Sequence, residues 1–207
     1  MSVDSAQSTT RDIILRETAA LFAMDGYAGV SMRDIATAAG ITPAALYHHF
    51  RDKSALYRAT MEYAFGSKLV ELPSIIFAEA PIEDRFAAFV EWFSELVATD
   101  VVYARLLQRE MLDGDEDRIR YLTEEVFREP FKQTMAMMEE IAPGGDAHQL
   151  TIFAFGMIFG HFAFTPTRRL QHGYKPKHDD PKKVAKSVTQ LLLNGLKTFS
   201  VVDAEAQ

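Results

Sequence analysis

Arg33, Thr42, Tyr47, His48, His49 and Lys53 put cationic and hydrogen-bonding side chains close together in one short run of the chain. Such groups donate to phosphate oxygens and base edges, so the chemistry they offer is recognition, not turnover. Arg33 can make a two-pronged contact with a guanine edge, clamp a phosphate, or pair with Asp34 or Asp12. Among Thr42, Pro43, Ala44 and Ala45 only Thr42 has a hydrogen-bonding side chain, and the small apolar groups beside it can pack on thymine methyls. The His48–His49 pair raises the question of a metal ion. Adjacent helical residues diverge, and helical metal pairs are spaced by four, so no metal site is expected here.

Two short helices and a tight turn must position these groups. Ser31 has the hydroxyl of a helix N-cap, with Asp34 three residues on in the capping-box position. Ile35, Ala36 and Ala39 give that helix a small apolar face. Gly40 supplies the freedom at positive φ that a sharp stop requires. Thr42 and Pro43 restart the chain as N-cap and first helical residue. Leu46 and Phe50, four apart, face inward and leave Tyr47, His48 and His49 at the edge, beside Arg51 and Lys53. This is the pattern of a helix-turn-helix, although an ordinary hairpin of two helices shares much of it.

The longer stretch 9–57, TTRDIILRETAALFAMDGYAGVSMRDIATAAGITPAALYHHFRDKSALY, resembles the N-terminal domain of the TetR family of transcriptional regulators. The likeness is carried by Ile14, Leu15, Leu21 and Phe22, by Gly26-Tyr27, by Arg33-Asp34-Ile35-Ala36, and by Leu46-Tyr47-His48-His49-Phe50 followed by Lys53. The resemblance implies an all-α chain, with a three-helix DNA-binding domain over 9–52 and a larger helical domain over 53–202 for ligand binding and dimerisation. It implies Tyr47, His49 and Lys53 on the DNA backbone, His48 along the sugar–phosphate chain, and Arg33 at a base edge or a phosphate. The implied partners are a palindromic double-stranded operator, a second copy of the chain and a small, largely apolar inducer. A repressor is the usual member. An activator, or a regulator controlled by a partner protein, is the alternative, and no cofactor is implied.

The net charge of −7 over 207 residues seems at odds with a phosphate-binding protein. Its distribution removes the objection: residues 1–68 hold seven basic and seven acidic side chains, while 69–207 hold 15 and 22. Binding is therefore expected to rest on a few local contacts and a dimer, with strong salt dependence. Zero cysteines exclude disulfides and thiolate metal sites. The chain opens without a basic-then-apolar signal segment, and its longest apolar stretch, 150–164, falls short of the roughly 20 residues a spanning helix needs. The expected compartment is the cytoplasm. Residues 1–8 are small and polar and are expected to fray.

The rest of the chain is helical in period. A long fourth helix from Lys53 is expected to kink or break at Pro73, and the next opens at Pro81. The following helix spans Val101 to Leu112, and after an acidic turn another runs from Arg118 to Ile141, broken or bent at Pro130. A loop at Ala142-Pro143-Gly144-Gly145 precedes a helix over 150–164, then a polar loop over 165–180 and a last helix from Pro181 to Phe199. The 150–164 helix carries five of the chain's 15 phenylalanines and is apolar all round, so it must be covered on every side. Gly156 and Gly160 would let two such helices approach closely. Val184, Val188, Leu191, Leu192, Gly195 and Leu196 offer the matching stripe of a four-helix interface between two copies.

Candidate ligand-lining residues are Trp92, Tyr103, Leu107, Met111 and Phe127, with Phe131, Met135 and Phe155, although any one of them is as readily plain core. Glu110 and His161 are the polar residues on apolar faces. Either can meet a ligand or the other, or be a buried group satisfied within the fold. They are also the only pair on which a DNA-tethered enzyme could be argued. No nucleophile–base pair, glycine-rich phosphate loop or metal-ligand spacing supports one.

Overall fold

The computed structural model describes residues 9–202, with side chains as far as residue 195. Residues 1–8 and the Leu196 side chain, both named above, lie outside that range. Among the described residues all regular structure is helical. In chain order the helices are α1 Thr10–Gly29, α2 Met32–Ala38, α3 Pro43–His49, α4 Lys53–Met61, α5 Ser67–Leu69, α6 Leu72–Ile76, α7 Ile82–Thr99, α8 Val101–Asp113, α9 Glu116–Tyr121, α10 Arg128–Ile141, α11 Ala147–Ala163, α12 Thr165–Arg168 and α13 Pro181–Val202. Two π-helical turns, Glu62–Gly66 after α4 and Leu122–Val126 after α9, lie against one another. A 3-10 turn, Pro176–His178, precedes α13.

The described chain forms two compact units. One holds residues 9–68 together with 105–126, and the other holds 69–104 with 127–202. Within the first, Ile14, Leu15, Phe22, Ile35, Leu46, Leu56, Met61 and Phe65 are fully buried and make the core that fixes α1 to α4. Within the second, α7 is the central helix and touches α6, α10, α11 and α13. Its Phe86, Phe89 and Val90 are fully buried, together with Met138 of α10 and Ile158 of α11.

Local chemistry sets the helix ends. Thr9 and Asp12 form a capping box at α1, as Ser31 and Asp34 do at α2. Thr42 caps α3 with Pro43 in its first turn, Asp52 caps α4, and Asp146 caps α11. Gly26, at φ 73°, interrupts α1 near its end, and Gly40, at φ 68°, makes the turn between α2 and α3. The acidic turn is shorter than expected, because Asp115 caps α9 and Glu116 and Asp117 are already helical. Acidic groups at a helix start meet the positive end of its dipole.

The break or bend expected at Pro130 is a break, and it falls earlier, at Phe127. Proline lacks an amide donor and its ring clashes with the carbonyl four residues back, so the old helix stops and Pro130 sits in the first turn of α10. The polar loop 165–180 contains α12 and the 3-10 turn, held by Asp179. That carboxylate accepts from Arg168 at 2.7 Å, from Arg169 at 2.7 Å and from the Tyr174 hydroxyl at 2.7 Å.

Candidate nucleic-acid interface

α2 and α3 present the groups singled out in the sequence. Thr42, Pro43 and Ala44 are exposed at the start of α3, and Ala45 is half-buried behind them. The Thr42 side chain accepts from the Ala45 amide at 3.2 Å, so its hydroxyl hydrogen is free to turn outward. Leu46 is fully buried and Phe50 nearly so, and these two anchor the helix. That leaves Tyr47, His48 and His49 exposed, with the two imidazoles edge-on at 5.9 Å.

Arg33 is exposed on the first turn of α2. Among the described residues it makes no ion pair, because the carboxylates that could have held it are engaged elsewhere. Asp34 accepts from the Ser31 amide at 2.8 Å and the Ser31 hydroxyl at 2.6 Å. Asp12 does the same with Thr9. These bonds hold both carboxyls below the ordinary carboxylate range. The guanidinium of Arg33 is thus available to a ligand outside the fold.

Lys53 is more constrained than the sequence suggests. Its ammonium donates to the Tyr27 carbonyl and lies 4.3 Å from the centre of the Tyr27 ring. Burial, and then the neighbouring Arg118, lower its pKa. An ammonium has three donors, so two remain for a phosphate.

Behind this surface lies a cluster that sequence reasoning missed. Arg118 of α9 pairs with Glu110 of α8 at 2.9 Å and approaches Asp113 and Asp115 at 3.4 Å each. Its guanidinium stacks over Tyr27 at 4.8 Å and faces Tyr57 at 5.7 Å. Phe22, Tyr27 and Tyr57 form a ring cluster beneath. Glu110, placed among the ligand-lining candidates, is therefore a buried group satisfied within the fold. No local period in the sequence links Arg118 to residues so far upstream.

The remaining ligand candidates divide between the units. Leu107, Glu110 and Met111 belong to the first, and Met111 is 60% exposed, which is unlike a pocket wall. Trp92, Tyr103, Phe127, Phe131, Met135, Phe155 and His161 belong to the second. There Phe155 stands edge-on to Phe89 at 5.7 Å and to Phe93 at 5.1 Å, and Trp92 lies beside both. Phe131 packs on His148. His161 bonds the His178 carbonyl at 2.9 Å, so it too has a partner within the fold. On α7 the Ser94 hydroxyl is buried and, among the described residues, unpartnered. A cleft of about 660 Å³ in the first unit is lined by Ser54, Arg58, Glu62, Asp117, Arg120, Tyr121, Glu124 and Glu125, and none of the expected ligand residues is on its wall.

The two glycines expected at a dimer interface both lie on α11. Gly156 is exposed, Gly160 is half-buried, and a Cβ at either would meet nothing within 4 Å. Ile152 and Phe153 of α11, and Phe164 at its C-terminal cap, are exposed at 49%, 47% and 68%. On α13 the stripe is split. Val184, Val188 and Leu192 are buried within the chain, whose α13 lies along α7, whereas Leu191 is 63% exposed and Gly195 half-buried.

A capped helix-turn-helix on a three-helix core, in a chain that is otherwise helical, defines the class of helix-turn-helix proteins. Residues 14–60 match the family model described as bacterial regulatory proteins, tetR family. A transcriptional repressor, KstR2 of Mycolicibacterium smegmatis, is 31% identical over 96 residues, covering 44% of this chain and 45% of the relative. The match thus spans less than half of that curated relative. A TetR-family regulator from Bordetella parapertussis superposes with a TM-score of 0.67 at 27% identity, over 88% of this chain and 93% of the other. FadR of Bacillus subtilis, solved in complex with stearoyl-CoA, shares the fold with a TM-score of 0.74 at 18% identity, over 88% and 97%. Residues 14–60 are thus similar to the tetR family of bacterial regulatory proteins, and the chain as a whole is similar in fold to a solved member of that family.

Proposed function

We propose that the protein is a homodimeric, operator-binding transcriptional repressor of the cytoplasm, released from DNA by a small and largely apolar ligand. Residues 9–52 would read the operator, and 53–202 would hold ligand and partner subunit. The observation that carries the reading is the pairing of exposed Arg33 on α2, free of ion pairs among the described residues, with the exposed start of α3, both helices being anchored to one buried core. In this reading Arg33 and Thr42 address base edges, while Tyr47, His48, His49 and Lys53 hold the backbone. A solvent-facing apolar patch on α11 and its C-terminal cap supports the dimer, because exposed Ile152, Phe153 and Phe164 gain by being covered. The ring cluster of Trp92, Phe93 and Phe155 favours a ligand that is mostly apolar, and α7 also carries a buried Ser94 hydroxyl, unpartnered among the described residues, that could take one polar group.

Ligand control requires different affinities for the two states. Turning a 1:99 balance into 99:1 takes about 5.5 kcal/mol over the dimer. Burying a ring-sized apolar molecule at about 25 cal/mol per Å² supplies energy of that order. Fluorescence anisotropy of the full chain on a labelled random duplex pool tests the first half of the reading. Binding that weakens steeply with salt is expected, and absence of binding at low salt overturns it. A thermal-shift screen of apolar compounds, followed by release of the pool, tests the second half.

A further inference from the structure

We infer that Arg118 is a positioning residue for DNA binding: clamped on Tyr27 and paired with buried Glu110, it fixes the end of α1 against which Lys53 is set. The inference rests on the DNA-binding reading above and adds to it a control point in residues 105–126. This segment lies far along the chain from the helix-turn-helix yet forms one compact unit with it. Three separate ties hold it there. Arg109 donates to the Met24 carbonyl. Arg118 stacks on Tyr27 and faces Tyr57. The Tyr121 hydroxyl donates to Glu62 at 2.7 Å, with Arg58 over its ring at 5.0 Å.

The middle tie reaches the DNA-facing surface. Tyr27 has Arg118 on its ring and Lys53 on its ring and carbonyl, so a single residue joins the buried pair to the phosphate-holding ammonium. The Arg118 side chain is only 14% exposed and that of Glu110 5%. Charges removed from water that far are costly unless paired, so buried Glu110 holds Arg118 in place, with Asp113 and Asp115 as the guanidinium's further and more exposed partners. A planar guanidinium stacks and pairs at once, which a lysine in its place cannot reproduce. A movement that separates Glu110 from Arg118 would therefore free Tyr27 and displace Lys53.

Two measurements on the full chain test this. In the free protein, Arg118→Met should speed amide exchange across residues 27–53 by on the order of tenfold, while α7 keeps its protection. Unchanged exchange over 27–53 overturns the inference. On the labelled duplex pool, Lys53→Ala should weaken the parent but add little in the Arg118→Met background, because the ammonium is already misplaced. Fully additive losses overturn the positioning role, since a change in stability alone leaves the two effects independent. If Arg118→Met does not fold, the near-isosteric Glu110→Gln is put through both measurements with the same expectations. A parent that binds no DNA defeats the DNA-binding reading and the positioning role with it, while the exchange result still decides whether Arg118 holds the helix-turn-helix in place.

Discussion

Lys53 stands 4.3 Å over the ring of Tyr27 and donates to the carbonyl of the same residue. The start of α4 is thereby fastened to the end of α1, and in the proposed reading the ammonium would meet DNA from a fixed place. A flexible lysine loses side-chain freedom on reaching a phosphate, at a cost of up to about 2 kcal/mol. Part of that loss is already taken in the folded protein.

Lys53→Ala should then weaken binding to all sequences about equally. It should lower the slope of log affinity against log salt by about one unit. Anisotropy titrations at several salt concentrations check this. A change in sequence preference with an unchanged slope would show that Lys53 does not hold phosphate.

The turn that aims α3 depends on its caps. Ser31→Ala removes a side-chain acceptor and donor at the start of α2 and should cost about 1 kcal/mol, read by urea denaturation. The same bonds hold the Asp34 carboxyl below its ordinary value. A depressed carboxylate contributes stability above its unfolded pKa of about 3.9, and that contribution is lost as pH falls through the lower folded value. The parent should therefore lose stability below about pH 4, and Ser31→Ala should flatten that part of the profile.

Much of the reading head was legible because its signals are local. Ser31, Gly40, Thr42 and Asp52 act on residues three or four away, and each occupies the place its chemistry predicts. Gly26 acts through its own positive φ and kinks α1, which resumes for one more short stretch to Gly29. The Arg118–Glu110–Tyr27–Tyr57 cluster was not legible, because it joins segments whose closeness only the tertiary fold creates. Glu110 looked like a ligand group for want of its partner. Val188 and Leu192 were assigned to a dimer stripe because period alone cannot say which neighbour covers an apolar face. α7 covers theirs.

The α11 stripe can be blocked without harming the subunit. Since a Cβ at Gly156 or Gly160 meets open space, Gly156→Leu with Gly160→Leu should fold normally. Replacing glycine within a helix adds about 0.5–1 kcal/mol of helix stability per site. Across a two-fold interface the added bulk should force the helices apart. Sedimentation is expected to give a folded monomer, and a retained dimer would move the interface elsewhere.

Ser94 offers a signature of ligand binding in the second unit. Its buried hydroxyl has no partner among the described residues, so Ser94→Ala should stabilise the ligand-free protein by about 1 kcal/mol. The same variant should gain less stability than the parent from a compound that carries a hydrogen-bonding group. Thermal melts with and without ligand separate the two effects. A variant less stable than the parent when free would mean that the hydroxyl is satisfied.

The central claim is that two copies of this helix-turn-helix read an inverted repeat, with Arg33 at a base edge. Sequencing the DNA that the full chain retains from a random duplex pool tests it most directly. The expected result is an inverted repeat with half-site centres about 34–36 Å apart. In the Arg33→Ala protein, preference should relax at one base pair per half-site by about 1–3 kcal/mol. Retained DNA with no enriched sequence, or an enriched site without two-fold symmetry, would contradict the account.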